Sequence, residues 1–167
     1  MSVREILVYP DPLLKTVCTP VDQFDGETDA LVQDLLDTMI VAGHSVGVAA
    51  PQIGATRRVV VVDVSKSKLG RERNHGQLVL INPQILEREG QETVREGCMS
   101  VPDYTGNVNR ASTVVVEFLD RQGKDRVIRA EGFEAIAIQH EIDHLDGLLF
   151  LDRVSSLKTD VFRRKGR

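Results

Sequence analysis

The chain has 167 residues, of which 41% are apolar and only 4% aromatic, so we expect an aliphatic core within one domain spanning residues 1–167. A net charge of -4 and a pI near 5.6 argue against a general nucleic-acid binder, which needs a basic face for phosphates. The sequence shows no leader peptide and no apolar run long enough to cross a bilayer. We therefore expect a soluble, cytoplasmic protein that binds neither membranes nor specific DNA.

The first predicted elements are helical. Asp11 is placed to cap a short helix that starts at Pro12. Apolar side chains then recur at helical spacing, at Leu31, Val32, Leu35, Leu36, Met39 and Ile40. They predict a long helix that Thr28 or Asp29 would cap and that Gly43 would end.

The middle of the chain is typical of β-structure. The segment Arg58–Val64 is rich in valine and predicts a buried strand, and Leu78–Asn82 predicts a second strand that ends at Asn82-Pro83. Three further segments predict strands, the last two joined in a hairpin: Ile85–Glu92, Ser112–Leu119 and Arg126–Glu131. An amphipathic stretch from about Val154 to Arg164 predicts a C-terminal helix or a partly frayed tail.

The segment Gln139–Gly147 carries the strongest chemical signal. His140 and His144 lie one turn apart on a helix predicted to start after Gly132, so their imidazoles share a face and can bind one metal ion. Glu141 lies beside this face, where it can take a proton from a metal-bound water. We therefore predict an α+β fold in which mixed or antiparallel strands surround this metal-binding helix, with further helices near both termini.

A catalytic metal needs a third protein ligand, which the helix does not supply. Cys98, within Glu96–Ser100, is one candidate, although a cysteine near a strand end is more often a packing residue. Cys18 has no partner motif and is expected to be structural, and a disulfide is disfavoured in a reducing compartment. A third segment, Ser45–Gln52, has small residues that can line a groove and ends in an amide donor.

Together these three segments resemble the peptide deformylases, metal hydrolases that remove the formyl group from the initiator methionine of nascent chains. The family has a small-residue motif ending in Ala-Ala-x-Gln, a Glu-Gly-Cys-apolar-Ser motif and a Gln-His-Glu-x-Asp-His-Leu motif. Here they correspond to Val46–Gln52, Glu96–Ser100 and Gln139–Leu145, in the same order and with similar spacing. The segments at Tyr9–Pro12 and Asn82-Pro83 also resemble the family.

The resemblance implies a catalytic centre. It implies three metal ligands, Cys98, His140 and His144. Glu141 would act as general base and then general acid. Gln52 and the backbone N–H of Met99 would bind the oxyanion that forms when the formyl carbonyl is attacked.

The resemblance also implies residues around that centre. Six are expected to bind the peptide or form the methionine pocket: Val46, Gly47, Gly97, Phe133, Ile136 and Ala137. Glu96 and Arg110 are expected to form an ion pair behind the cysteine, and Asp143 to orient the helix or a ligand.

The expected cofactor is one Fe²⁺ per chain, which Zn²⁺, Ni²⁺ or Co²⁺ can replace in purified protein. The expected substrates are formylmethionyl nascent peptides. The basic cluster at residues 163–167 is typical of a solvated helix end, and a transient contact with the ribosome is the alternative hypothesis for it.

Two departures from the family pattern bear on the substrate groove. Ser45 stands where the family usually has glycine, and Asn109 precedes Arg110 where proline is expected, after a loop predicted at Asp103–Asn107. Alternative readings are a zincin-type peptidase, a site for a structural ion and an inactive metal-binding relative. Phe150 stands where an extended zincin motif needs its third histidine.

Overall fold

The computed structural model of the chain describes residues 3–43 and 45–164. Its two α-helices are α1 (Gly26–Ala42) and α2 (Gly132–Leu145). Eight strands are described: β1 (Gly47–Ala49), β2 (Val59–Val62), β3 (Leu78–Glu89), β4 (Glu92–Cys98), β5 (Val101–Arg110), β6 (Thr113–Leu119), β7 (Asp125–Glu131) and β8 (Val161–Arg163). Short 3₁₀ helices lie at Pro12–Lys15, Ala50–Ile53 and Phe150–Asp152.

The strands form two antiparallel sheets, with the orders β1-β2-β3-β6-β7 and β4-β5-β8. The predicted α+β class is confirmed, as are the 3₁₀ helix that Asp11 caps and the β6–β7 hairpin. None of the described helices combines the length and apolar character that crossing a membrane requires.

The valines of β2 explain how the larger sheet is buried. Val60 and Val62 pack in the same apolar cluster as Ile138 and Ile142 of α2. Val59 and Val61 point to the opposite face and join the cluster that holds most of the apolar face of α1. Because alternate side chains of a strand face opposite ways, an unbroken valine run suits a strand covered by a helix on each side.

The helix α1 begins earlier than predicted. Its N-cap is Asp25, whose side chain accepts a hydrogen bond from the backbone N–H of Thr28 at 3.1 Å. Thr28 and Asp29, the predicted caps, lie inside the first turn, so that prediction was wrong. The end of the helix at Gly43, which has a φ of 73°, was correctly predicted.

The strand β3 does not end at Asn82-Pro83 but continues to Glu89. The register with β6 shifts between Ile81 and Gln84, which marks a bulge. Asn82 has a φ of 51°, and its side-chain amide exchanges two hydrogen bonds of 2.8 Å with the backbone of Val21. Asparagine tolerates this conformation, and proline is accepted at a bulge because no ladder hydrogen bond is lost there.

The C-terminal segment forms a strand, not the predicted helix. Residues 161–163 pair with residues 104–106 of β5, and the N–H of Arg164 donates to the carbonyl of Asp103 at 2.8 Å. Phe162 lies under the guanidinium of Arg95, 3.7 Å from the ring centroid. The free edge of β5 thus supplies backbone partners that a local helical pattern does not reveal. Residues 103–107 belong to β5 and not to the predicted loop, because they pair with β4 on one side and with β8 on the other.

We expect Asn82→Ala to lower the free energy of unfolding by about 2 to 4 kcal/mol. The substitution removes two hydrogen bonds to Val21 and leaves alanine in a left-handed conformation. Asn82→Gly should lose less, because glycine accepts this φ. Urea denaturation would measure both. Asn109→Ala, at an exposed asparagine, is the control, and equal effects of Asn82→Ala and Asn109→Ala would contradict the prediction.

Candidate active site

The helix α2 brings two of the predicted ligands together. The rings of His140 and His144 have centroids 5.0 Å apart and are inclined by 75°. Cys98, at the end of β4, completes a buried group in which one ligand atom from each residue lies within 4.8 Å of the others. Its Sγ is 3.4 Å from Nε2 of His144. Within the part of the chain that is described, this is the one such group of three or more metal-binding residues.

A bulge in the β4–β5 hairpin aims Cys98 at the helix. Gly97 pairs with Thr105, but the next residue, Cys98, pairs with Val101, so the register shifts between them. Bulges reorient side chains at the ends of strands. The hairpin therefore turns the thiol of Cys98 toward His144.

Glu96 fixes the orientation of His140. The Nδ1 of His140 lies 2.8 Å from Oε1 of Glu96, so a neutral imidazole donates its proton there and leaves Nε2 as the lone-pair nitrogen. Carboxylates commonly orient metal-binding histidines in this way. Glu96, which was predicted to lie behind the cysteine loop, is thus hydrogen-bonded to His140.

Glu96 also forms the predicted ion pair with Arg110. The guanidinium donates to both carboxylate oxygens, at 2.6 and 2.9 Å, and its third bond reaches Asp143 at 2.7 Å. Arg153 donates two further hydrogen bonds to Asp143, at 3.0 and 2.8 Å. Arg153 was not identified from the sequence, since nothing near it in the chain points to this partner.

The buried charges stabilise one another. Burial alone would raise the pKa of Glu96, but hydrogen bonds from Arg110 and His140 outweigh it and lower the pKa to about 2. Burial likewise opposes the charge of Arg110, yet the bonds to Glu96 and the charge of Asp143 raise its pKa further. Both groups therefore remain ionised inside the protein.

Glu141 lies in a space that only a glycine neighbour permits. A Cβ on Gly47 would lie 2.7 Å from Oε2 and 2.9 Å from Cγ of Glu141. Oε1 of Glu141 is buried without a hydrogen-bond partner among the described residues. Burial raises the pKa of Glu141 to about 7, against the opposing charge of His140.

The pKa values of the two histidines are shifted in opposite directions by the surrounding protein groups. Burial lowers the pKa of His140, but hydrogen bonds to Cys98 and Glu96 outweigh it and raise the pKa well above its ordinary value. Burial and the charge of His140 hold the pKa of His144 well below its ordinary value. A neutral His144 keeps its lone pair available for a metal ion.

The amide of Gln52 is held in one orientation. Its Oε1 accepts the backbone N–H of Ala49 at 2.9 Å, which identifies the other atom as the nitrogen. That nitrogen donates to Oγ of Ser100 at 3.0 Å and lies 3.5 Å from Sγ of Cys98. The second N–H is thereby directed toward the Cys98 side of the cluster. Ser100 belongs to the quoted Glu96–Ser100 motif but was not assigned a role.

The N-terminal segment connects the loops that carry Gln52 and Ser100. The N–H of Leu7 donates to the carbonyl of Gln52, and the N–H of Tyr9 donates to that of Ser100, both at 2.7 Å. The position of Gln52 relative to Cys98 is thus held by backbone as well as side-chain bonds.

A cavity of about 950 Å³ opens onto the cluster. All six predicted peptide-binding residues line it: Val46, Gly47, Gly97, Phe133, Ile136 and Ala137. Met99 and Gln52 line it as well, whereas Arg110 and Asp143 lie behind it, among the buried polar groups. Leu69, Arg95 and Arg164 line it too and were missed, because they come from segments far apart in the sequence.

The departure at Asn109 lies away from this cavity. The side chain of Asn109 is exposed and bonds Gln91 at 3.3 Å, and its backbone pairs with Thr93.

The two cysteines are both free thiols. Burial raises the pKa of Cys18 to about 11, which suits the structural role expected of it.

The donor set fits a divalent transition metal. One thiol and two imidazoles are ligands that Fe²⁺, Zn²⁺, Co²⁺ and Ni²⁺ accept, and three protein ligands leave a position open to water or substrate. The uncompensated burial of Oε1 of Glu141 is explained if a further polar group is bound beside it.

Comparisons with known proteins agree with this geometry. The family model described as polypeptide deformylase matches residues 3–160. A peptide deformylase from Alkalilimnicola ehrlichii is 47% identical over 165 residues, covering 99% of this chain and 89% of the relative. One from Thermodesulfovibrio yellowstonii is 43% identical and covers 99% and 97%.

Solved structures agree as well. The crystal structure of a peptide deformylase from Legionella pneumophila is similar with a TM-score of 0.85 at 43% identity, covering 94% of this chain and 89% of that one. A peptide deformylase from Thermus thermophilus gives a TM-score of 0.82 at 42% identity, covering 92% and 86%. The chain therefore belongs to the polypeptide deformylase family.

Proposed function

We propose that this chain is a metal-dependent hydrolase that removes the N-formyl group from the formylmethionine of newly synthesised proteins and releases formate. Membership of the family supports the reaction. The observation that carries the assignment of residues is the group of Cys98, His140 and His144 at the foot of a cavity, with Glu141 beside it. The match to residues 3–160 also supports the prediction of a single catalytic domain.

Cys98, His140 and His144 would hold the metal ion. When bound, it supplies Lewis acidity, which polarises a carbonyl and lowers the pKa of a water. Glu141 accepts the proton of the attacking water and then delivers it to the leaving amine, as a general base and acid. Gly47 leaves room for this carboxylate.

Gln52 and Met99 would bind the developing oxyanion. One N–H of the Gln52 amide is bonded to Ser100, and the other, which lies toward Sγ of Cys98 at 3.5 Å, would turn to the oxyanion. The backbone N–H of Met99, next to Cys98, is the second donor. Donors fixed in advance stabilise the transition state without having to reorganise during the reaction.

The pocket for the methionine side chain would be formed by Phe133, Ile136 and Ala137 of α2 together with Val46. These side chains are apolar, and an unbranched thioether adapts well to such surroundings. The backbones of Val46, Gly47 and Gly97 would bind the peptide.

Iron is the metal that we propose, with Zn²⁺, Ni²⁺ or Co²⁺ able to replace it. Zinc competes well for thiol and imidazole ligands by intrinsic affinity, so purified protein can carry a metal other than Fe²⁺. We further propose a cytoplasmic location and a transient ribosome contact. Of the basic cluster, Arg163 lies in β8 and Arg164 lines the cavity, whereas residues 165–167 fall outside the described part.

The alternatives have less support. A structural ion is usually enclosed by four protein ligands, and the described residues offer three at this site. An extended zincin motif needs a metal-binding histidine at position 150. Here that position holds Phe150, whose side chain is buried in an apolar cluster with Leu14 and Val108 and cannot bind a metal.

Protein purified without oxygen and loaded with Fe²⁺ should release formate from formyl-Met-Ala-Ser. Glu141→Gln should lower kcat roughly 10²- to 10⁴-fold, because the amide neither accepts nor delivers the proton. Its metal content should match that of the wild type. Release by Glu141→Gln at the wild-type rate would contradict the role of Glu141. Absence of release by folded, iron-loaded wild type would contradict the function.

Gln52→Ala should lower kcat roughly 10²- to 10³-fold and change KM far less, because the lost hydrogen bond forms mainly in the transition state. Gln84→Ala, at an exposed position in β3, is the matched control and should behave as wild type. Steady-state formate release measures both. A fall confined to KM would instead place Gln52 in ground-state binding.

Glu96→Gln should weaken metal binding roughly 10- to 100-fold, because His140 and Arg110 both lose a charged partner. Competition with a chelator measures the affinity. Glu89→Gln removes an exposed carboxylate paired with Arg129 at 3.5 Å and should leave metal binding unchanged. Equal affinities of Glu96→Gln and wild type would show that His140 needs no such support.

A further inference from the structure

The backbone of Gly47 faces away from its own sheet. In the antiparallel β1–β2 pair, the N–H of Asp63 donates to the carbonyl of Val46 at 2.9 Å. Hydrogen-bonded and non-bonded pairs alternate along such a ladder, so the following pair, Gly47 with Val62, is a non-bonded one. Because β1 is the edge strand, the N–H and C=O of Gly47 therefore point away from β2 and out of the sheet.

By the same alternation, the backbone N–H and C=O of Ala49 also point away from β2. Ala49 pairs with Val60, and its outward N–H is bonded to the side chain of Gln52 at 2.9 Å. The two outward-facing positions of β1 are thus both covered by side chains of this chain. Gln52 covers one of them, and Ser45 covers the other.

Ser45 occupies both backbone groups of Gly47. Its Oγ donates to the carbonyl of Gly47 at 2.9 Å and accepts from the N–H of Gly47 at 3.3 Å. Ser45 is half-buried and lines the cavity together with Gly47 and Glu141. The serine hydroxyl is therefore bonded to a strand edge that faces the catalytic group.

An extended peptide would use this same edge. Peptides commonly bind by adding a strand to an exposed sheet edge, and the bonds then run between backbones. Gly47 lies against Glu141, so a peptide whose formyl group reaches the cluster would have its first backbone amide near Gly47. The Ser45 hydroxyl would be its direct competitor.

We propose that Ser45 limits the affinity for peptides, because its hydroxyl stands in for the peptide backbone at Gly47 and must be displaced when the substrate binds. The inference rests on the proposed function. It assigns a consequence to the serine that replaces the usual glycine of the family motif. The chemistry of the reaction is unaffected, because Ser45 neither donates nor accepts a proton in it.

The hydroxyl is a modest obstacle. A carbonyl oxygen has two lone pairs, but an N–H has one proton, and both groups must be cleared together for a strand to pair fully. Exchange of one hydrogen bond for another changes affinity by about one order of magnitude or less. We therefore expect the effect in KM and not in kcat.

Ser45→Ala and Ser45→Thr form a matched pair, since alanine removes the hydroxyl and threonine keeps it. With formyl-Met-Ala-Ser, Ser45→Ala should lower KM roughly two- to tenfold and leave kcat within about twofold of wild type. Ser45→Thr should keep a KM close to that of wild type. An unchanged or higher KM in Ser45→Ala, with thermal stability preserved, would overturn the proposal.

Equilibrium binding separates this inference from the proposed function. Formyl-Met-Ala-Ser titrated into metal-loaded Glu141→Gln, with and without Ser45→Ala, gives dissociation constants free of turnover. Ser45→Ala should tighten binding roughly two- to tenfold, and equal constants would overturn the role of Ser45 even in an active enzyme. Wild type that binds the peptide but releases no formate would overturn the function alone.

Discussion

The carboxylate of Glu96 is the group on which the rest of the site depends. It accepts hydrogen bonds from His140 of α2 and from Arg110 of β5, while its own backbone belongs to β4. The same arginine reaches back to Asp143 on α2. One buried network thus fixes the helix that carries two of the proposed ligands relative to the hairpin that carries Cys98. A buried carboxylate is costly unless it is paired and fully hydrogen-bonded, and here both conditions are met.

The site was more predictable from the sequence than the fold around it. His140 and His144 share a helical face because the helical period requires it, whatever the tertiary structure. The hairpin of β4 and β5 went unpredicted because residues 92–110 are largely polar and carry no run of apolar β-formers. The C-terminal strand was mistaken for a helix because an amphipathic pattern is local information, whereas the free edge of β5 is not. Arg153 and Ser100 escaped notice for the same reason.

The residues of β1 meet three separate constraints. Gly47 needs to lack a side chain because Glu141 occupies the volume that a Cβ would take. Ala49 has a different requirement, since its side chain packs in the buried cluster with Val60 and Val62 while its outward N–H holds the Gln52 amide in orientation. The side chain of Val48 lies on the opposite face of β1 and packs in the apolar cluster with α1. A motif of small residues therefore combines access for a carboxylate, a backbone anchor for an amide and a packed core.

The polar side chains buried on α2 separate structural from functional roles. Glu134 is bonded to the N–H and the ring of His75, and Gln139 to both backbone groups of Ala111. Asp143 is paired with two arginines. The buried side-chain atoms left without a partner in the described part of the chain are Oε1 of Glu141 and Nδ1 of His144. Native proteins rarely leave such atoms unpaired without a functional reason. Both unpaired atoms belong to residues of the proposed catalytic centre, so the described polar side chains of the helix lack partners only where chemistry is proposed.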